Sequence, residues 1–218
     1  MFGGKPVIGI AGGIGSGKSF IAKLFGDLGA LVIDSDVQVR EAYQGPRVKQ
    51  TLRQWWGDGV FDTRGEVNRS AVGRKVFADP TERVRLEKLI HPLVDEARKR
   101  VMAGSADDAQ VVAYVWDTPL LFEAGLAGEC DAIVFVEAPL EERLRRVAQS
   151  RGWDAAELDR RQKLQWPLDK KRRISDHVVT NTADADYARG QVRDVLSQIL
   201  ARTSRANGSE PGSGRRRN

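Results

Sequence analysis

Val7-Ile8-Gly9-Ile10-Ala11-Gly12-Gly13-Ile14-Gly15-Ser16-Gly17-Lys18-Ser19 is an apolar run that dissolves into glycines and ends on a lysine and a hydroxyl. Val7 to Ile10 has the pattern of a short strand buried on both faces of a parallel sheet. From Gly12 the residues fit G-x-x-x-x-G-K-[S/T] without a gap. Ile21, Leu24, Phe25 and Leu28 then recur at the spacing of one helix face, and Gly29 supplies a stop. Strand, glycine loop and helix are the context in which this motif cradles phosphates. Glycines let the backbone curl until successive N–H groups share one concavity, and the helix start adds partial positive charge. The cradle is expected to consist of Gly13, Ile14, Gly15, Ser16, Gly17, Lys18, Ser19 and Phe20. Lys18 reaches the terminal phosphates and the Ser19 hydroxyl suits Mg²⁺. A glycine turn that binds nothing is the other reading, and the flanking strand and helix argue against it. The loop implies a nucleoside triphosphate without naming a reaction.

Leu31-Val32-Ile33 is a second apolar run, ending at Asp34-Ser35-Asp36. From Val37 the pattern is mainly helical. Leu86, Leu89, Ile90, Leu93, Val94, Ala97 and Val101 form one stripe, and Pro92 is expected to kink or divide that helix. Gln110–Trp116, Ala132–Val136 and His177–Thr180 read as further strands, Leu140–Leu164 as charged helix and Tyr187–Ala201 as a closing helix. The alternation gives an α/β class: a three-layer P-loop fold with a parallel sheet. One domain is expected over 1–202, with its core at about 7–36 and 110–202, a helical acceptor-binding insertion at about 37–105 and a short lid at about 141–173. Residues 203–218, rich in Gly, Ser, Asn and Arg, cannot bury a core and are expected to be disordered.

The 218 residues are 41% apolar, enough for a core, and carry a formal charge of +5. Setting aside Arg215-Arg216-Arg217 leaves about +2, too small to argue for nucleic acid. Cys130 is the single cysteine, which excludes an intrachain disulfide, and no histidine stands beside it for a metal site. No stretch approaches the roughly 18–20 apolar residues that span a bilayer, and no apolar leader follows Met1. The expectation is a soluble, cytoplasmic protein without membrane or nucleic-acid partners.

No N-K-x-D stretch follows a strand, which argues against a GTPase. Asp34 and Asp36 stand at the C-terminal end of the second strand, the edge where open parallel sheets bind ligands. A carboxylate there could accept the proton of a hydroxyl attacking ATP. In extended chain the two point apart, so only one is expected to reach an acceptor; each admits helix capping instead. Asp117, at another strand end, is either a metal-side acid or a turn cap.

Taken together, these residues resemble the bacterial dephospho-coenzyme A kinase family over about Val7 to Asn181. Gly12 to Ser19 resembles the family loop, with Phe20 where threonine is usual. Val32-Ile33-Asp34-Ser35-Asp36 with Arg40 resembles V-I-D-A-D-x-x-A-R, Ser35 and Val39 replacing alanines. His91-Pro92-Leu93 resembles H-P-L, and Asp117-Thr118-Pro119-Leu120-Leu121-Phe122-Glu123 resembles D-x-P-L-L-F-E. Gln165-Trp166-Pro167-Leu168, then Lys171, Asp176 and Asn181, resembles the end of the lid. The resemblance implies transfer of the ATP γ-phosphoryl to the ribose 3′-hydroxyl of dephospho-coenzyme A, with Mg²⁺. It implies Asp36 as base, Arg40 beside the acceptor's phosphates, Asp117 sharing the metal with Ser19, and Pro119, Leu120, Leu121 and Phe122 as an apolar wall. His91 is read as a substrate-side positioning or packing residue, and Asn181 as an approach to adenine.

Phosphoryl transfer needs cations over the phosphates and water kept out. Basic residues crowd between Glu141 and Arg173, interleaved with acids, so most are expected to be solvated. Arg146, Arg151 and Arg161 are the expected phosphate contacts, Arg161 for its R-x-x-x-Q position before Gln165. Trp55 and Trp56 are expected in the core. Two other functions stay open: a kinase with a nucleoside or nucleotide acceptor, against which H-P-L and P-L-L-F-E argue, and a non-catalytic ATP sensor, which would need neither Asp36 nor an arginine lid.

Overall fold

The strands are apolar at nearly every position because both of their faces are covered. In a computed structural model, which describes residues 1–182 and 184–208, β1 (Val7–Gly12) is central. It pairs in parallel with β3 (Ala113–Asp117) and with β4 (Ala132–Glu137). β4 pairs in parallel with β5 (His177–Thr180), and β2 (Ala30–Asp34) lies beyond β3, giving the order β2-β3-β1-β4-β5. The order reverses at β1, so the crevice for ligands opens at its C-terminal end. The register there sets Ile10 opposite Asp117 and Gly12 opposite Val136.

The pleat sends successive side chains to opposite faces. Ile8, Ile10, Val115, Val134 and Val136 enter one cluster, closed by Ile21, Leu24 and Phe25 of α1 (Lys18–Gly26) and by Ala188, Val192 and Ile199 of α9 (Ala185–Gly208). Val7, Tyr114, Trp116, Ile133 and Phe135 enter the other, with Leu121 and Phe122. Three shorter helices follow β4: α6 (Leu140–Arg151), α7 (Ala155–Gln162) and α8 (Leu168–Ile174).

The chain divides into two compact units, Met1–Ile33 with Met102–Asn218, and Asp34–Val101. The second is helical. It comprises α2 (Ser35–Gln44), α3 (Pro46–Trp56), α4 (Arg69–Ala78) and most of α5 (Pro80–Gly104). Val48, Leu52, Val60, Val72, Leu86, Ile90 and Val94 form its core. Trp55 and Trp56 pack against that core and meet each other edge to face at 5.8 Å, and Trp56 Nε1 donates to Glu82 at 2.7 Å.

Two expectations need correction. α5 runs through Pro92 without dividing. Proline removes one backbone donor and costs about 3 kcal/mol in a helix interior. Ile90 and Val94, on either side, are buried in one cluster, and their burial offsets that cost. α9 continues past Thr203 to Gly208, where loss of structure was expected. The hydroxyls of Thr203 and Ser204 donate to the carbonyls of Ile199 and Leu200 one turn back, at 2.9 and 3.0 Å, so the polar residues stay in the helix. The rest of the expected tail lies outside the described residues. Among the described residues no helix is long and apolar enough to cross a membrane.

Leu52 is fully buried in the helical unit, whereas Leu164 is 66% exposed. Leu52→Ala should cost about 2–5 kcal/mol of stability, and Leu164→Ala no more than about 0.5 kcal/mol. Urea unfolding of both variants checks this; equal losses would contradict the assigned core.

Candidate active site

The glycine loop turns because three of its residues take left-handed or extended-positive backbone: Gly12 at φ +150°, Gly15 at +78° and Gly17 at +86°. A Cβ on Gly12 would lie 2.6 Å from the Val136 carbonyl, and one on Gly17 would overlap Asn181 Nδ2. Gly17 is also the N-cap of α1, and no side chain caps that helix. Its first amides therefore face the concavity, where an anion can take them.

Lys18 bends back along the loop. Its Nζ donates to the carbonyls of Gly12 and Gly13 at 3.2 and 3.1 Å. Burial pulls its pKa from the ordinary 10.5 down to about 8; the Asp117 carboxylate opposes this, and the charges of Lys171, Arg151 and Arg143 add to it. Ser19 is exposed at the start of α1, and Asp117 is buried at the end of β3.

Of the expected arginines, Arg146 binds carbonyls on the outside of the loop. It donates to Ser16 at 3.1 Å, to Asn181 at 3.2 Å and to Thr182 at 3.3 Å. Asn181 Nδ2 donates to the same Ser16 carbonyl at 2.8 Å. A cavity of about 300 Å³ opens beside them, lined by Gly17, Phe20, Arg145, Arg146, Asn181 and Thr182. Arg151 and Arg161 lie over the Trp153 ring at 4.7 and 4.2 Å, and Arg161 Nε donates to Glu157 at 2.5 Å.

Two residues that the sequence did not single out hold the loop's first arm. Arg143 is buried; its Nε donates to the Ile14 carbonyl at 2.8 Å and its Nη2 to Gln162 Oε1 at 2.7 Å. Gln162 Oε1 also accepts from the Ile14 amide at 3.2 Å. Arg143 had a legible signal. It stands four residues before Val147, and these are the two buried positions of α6. A second cavity of about 210 Å³ is lined in part by Gly13, Ser16, Glu137, Arg143 and Arg172.

The expected apolar wall after β3 is split. Pro119 and Leu120 are exposed, whereas Leu121 and Phe122 are buried in the sheet's core. Gly9 makes this possible: Leu121 Cδ2 and Cys130 Sγ occupy the space a side chain there would need, 2.7 and 2.8 Å from its Cβ position. Phe122 stacks on Trp166 at 5.7 Å. Next to it Glu123 Oε1 pairs with the buried Lys171 at 2.8 Å and accepts from the Trp166 amide at 2.8 Å, which ties α8 to this turn.

Within the helical unit, Asp34 caps α2: its Oδ1 accepts from the amides of Asp36 and Val37 at 2.7 and 3.3 Å. Asp36 is thereby released from capping and is exposed, as are Arg40 one turn on and His91 on α5.

The family model described as dephospho-CoA kinase (CoaE) matches residues 6–186. The chain belongs to the dephospho-CoA kinase family. The dephospho-CoA kinase of Syntrophotalea carbinolica is 35% identical over 196 residues, 89% of this chain and 92% of the relative. That of Synechococcus sp. (strain CC9605) is 38% identical over 191 residues, 87% and 91% of the two chains. Among solved structures, a Thermus thermophilus protein aligns with a TM-score of 0.76 at 32% identity, over 89% of this chain and 97% of that one. Dephospho-CoA kinase from Campylobacter jejuni, at 18% identity and a TM-score of 0.60 over 90% and 98%, shares the fold.

Gly17→Ala tests the curl this kinase-family loop requires. A left-handed alanine costs about 1–2 kcal/mol, and the added methyl displaces Asn181. ATP affinity measured by calorimetry should fall by about tenfold or more, with the circular-dichroism spectrum unchanged; unaltered affinity would count against the loop as the nucleotide cradle.

Proposed function

We propose that the loop, Lys18 and Asp36 carry out the reaction of this family: transfer of the ATP γ-phosphoryl group to the ribose 3′-hydroxyl of dephospho-CoA, giving CoA and ADP, the last step of coenzyme A biosynthesis. The observation that carries the assignment is the half-buried Lys18 folded back onto the Gly12 and Gly13 carbonyls of the glycine loop, in a chain matching the family over residues 6–186.

The triphosphate takes the open amides of the loop between Gly13 and Phe20, that of Ile14 staying with Gln162, and Lys18 exchanges the Gly12 and Gly13 carbonyls for phosphate oxygens. The base enters the cavity lined by Phe20, Arg146 and Asn181. Arg146 acts by holding the loop's carbonyls, and Arg161 leaves Glu157 to cover the phosphates. The Asp36 carboxylate orients the 3′-hydroxyl and takes its proton as the new phosphorus–oxygen bond forms and the bond to the ADP oxygen breaks. Arg40 pairs with the acceptor's phosphates, His91 positions it, and Pro119 and Leu120 offer it apolar surface.

A hydroxyl and a carboxylate are the hard oxygen donors that Mg²⁺ takes, and Ser19 and Asp117 fit that requirement. Among the described residues no group of three or more histidine, cysteine or acidic side chains gathers. The two would therefore hold Mg²⁺ together with phosphate oxygens, where it offsets charge on the phosphates. The proposed compartment is the cytoplasm.

ADP release in Mg·ATP with dephospho-CoA, adenosine or AMP in parallel tests the assignment: ADP should form with dephospho-CoA alone. Asp36→Asn should lower turnover by at least about a hundredfold, the scale of a lost general base, with ATP affinity within about twofold of the parent. Near-normal turnover would remove Asp36 from that role.

Lys18 adds a pH dependence. It titrates at about 8 in the free protein, and a bound polyanion favours its charged form and raises it. Binding then takes up a proton above that pH. ATP affinity should be level just below about 8 and fall by up to about tenfold per unit above it. Calorimetry at pH about 9 in two buffers of different ionisation heat reads the uptake; identical heats and a flat affinity would contradict it.

A further inference from the structure

We infer that Gln162 is a further ligand of the transferring group, donating from its side-chain amide to an oxygen of the terminal phosphoryl; this rests on the loop reading above. Gln162 is the last residue of α7. Its Oε1 accepts from two groups, the Ile14 amide at 3.2 Å and Arg143 Nη2 at 2.7 Å. Both partners can only donate, so the orientation of the side-chain amide is settled: oxygen toward loop and arginine, NH₂ away from them.

That NH₂ nitrogen is buried and has no hydrogen-bond partner, and the nearby Ser16 hydroxyl is in the same condition. Native structures keep few buried donors without acceptors, because each forfeits its hydration. Two of them at a loop built to receive a ligand point to acceptor atoms that arrive with it. The surroundings select what kind. Arg143, bonded to Ile14, and Lys18, bonded to Gly12 and Gly13, supply positive charge beside them. The acceptor is an anion with several oxygens.

The position on the loop selects which oxygens. Inner phosphates of a nucleotide lie over the helix start, and the loop lysine reaches the outer ones. Here the lysine amine rests on Gly12 and Gly13, and Arg143 and Gln162 hold Ile14 beside them. Gln162 is therefore at the outer end of the polyphosphate. Charge in the transferring group spreads over three equatorial oxygens, and a neutral donor fixed by two hydrogen bonds adds stabilisation there without reorganising. Arg161, its neighbour in the chain, is held by Glu157 and Trp153 in the nucleotide-free protein, so Gln162 is already in place before Arg161 moves.

Gln162→Glu separates this from a mere tether. Glutamate keeps an acceptor for Ile14 and tightens the bond to Arg143, yet it removes the donor and turns a negative oxygen toward the phosphate. In calorimetry with Mg²⁺ and the full chain, a non-hydrolysable ATP analogue should bind about tenfold or more weakly than to the parent, the scale of a hydrogen bond to a charged group. ADP should stay within about twofold, and kcat with dephospho-CoA should fall about as far as analogue affinity. Gln162→Met, which loses donor and acceptor together, should also weaken the analogue more than ADP, and it decides the matter should the glutamate variant not fold. Equal losses for both nucleotides, or no loss for the analogue, would overturn the inference. A parent protein that binds neither nucleotide would instead overturn the loop reading on which it rests.

Discussion

A peptide segment that turns its amides into one concavity must turn its carbonyls outward, and those carbonyls need donors. The site of this protein depends on that constraint. Lys18 takes the carbonyls of Gly12 and Gly13, Arg143 that of Ile14, and Arg146 and Asn181 that of Ser16. The glycine loop is thus held from behind by α6 and by the turn after β5, while Gln162 of α7 takes the Ile14 amide. Positive charge serves twice: it satisfies the outside of the loop and raises the potential inside it.

The local part of this arrangement was legible in the sequence. Loop spacing, the strand before it and the helix after it are properties of neighbours in the chain, and the division of labour between Asp34 and Asp36 follows from a two-residue capping geometry. The distant part was not. Arg143 and Gln162 meet Ile14 across 129 and 148 residues, and nothing in a charged helical stretch marks which arginine will be buried until the face shared with Val147 is known. The same limit applied to Pro119-Leu120-Leu121-Phe122. Four residues that read as one apolar wall divide into exposed and buried pairs because Gly9, on the central strand, leaves room for Leu121.

Packing in one place and local hydrogen bonding in another overrode two signals of single residues. Pro92 reads as a helix breaker, and the hydrophobic cluster on both sides of it keeps α5 whole. The polar residues from Thr203 read as the start of a tail, and their hydroxyls fold back onto helix carbonyls instead. In both places the chain follows the balance of packing and hydrogen bonding rather than the propensity of single residues.

The ion pair of the buried Lys171 with Glu123 closes a set of ties along the stretch after β4. α8 is pinned through Lys171 to the turn after β3, and α6 ends at Gly152, whose left-handed backbone makes a sharp stop. Between them lies α7, a rod of eight residues and so about 12 Å long, whose last residue Gln162 is itself held by Ile14 and Arg143. The stretch from α6 to α8 is therefore tied at three places: to the Ile14 carbonyl, to the Ile14 amide and to the turn after β3.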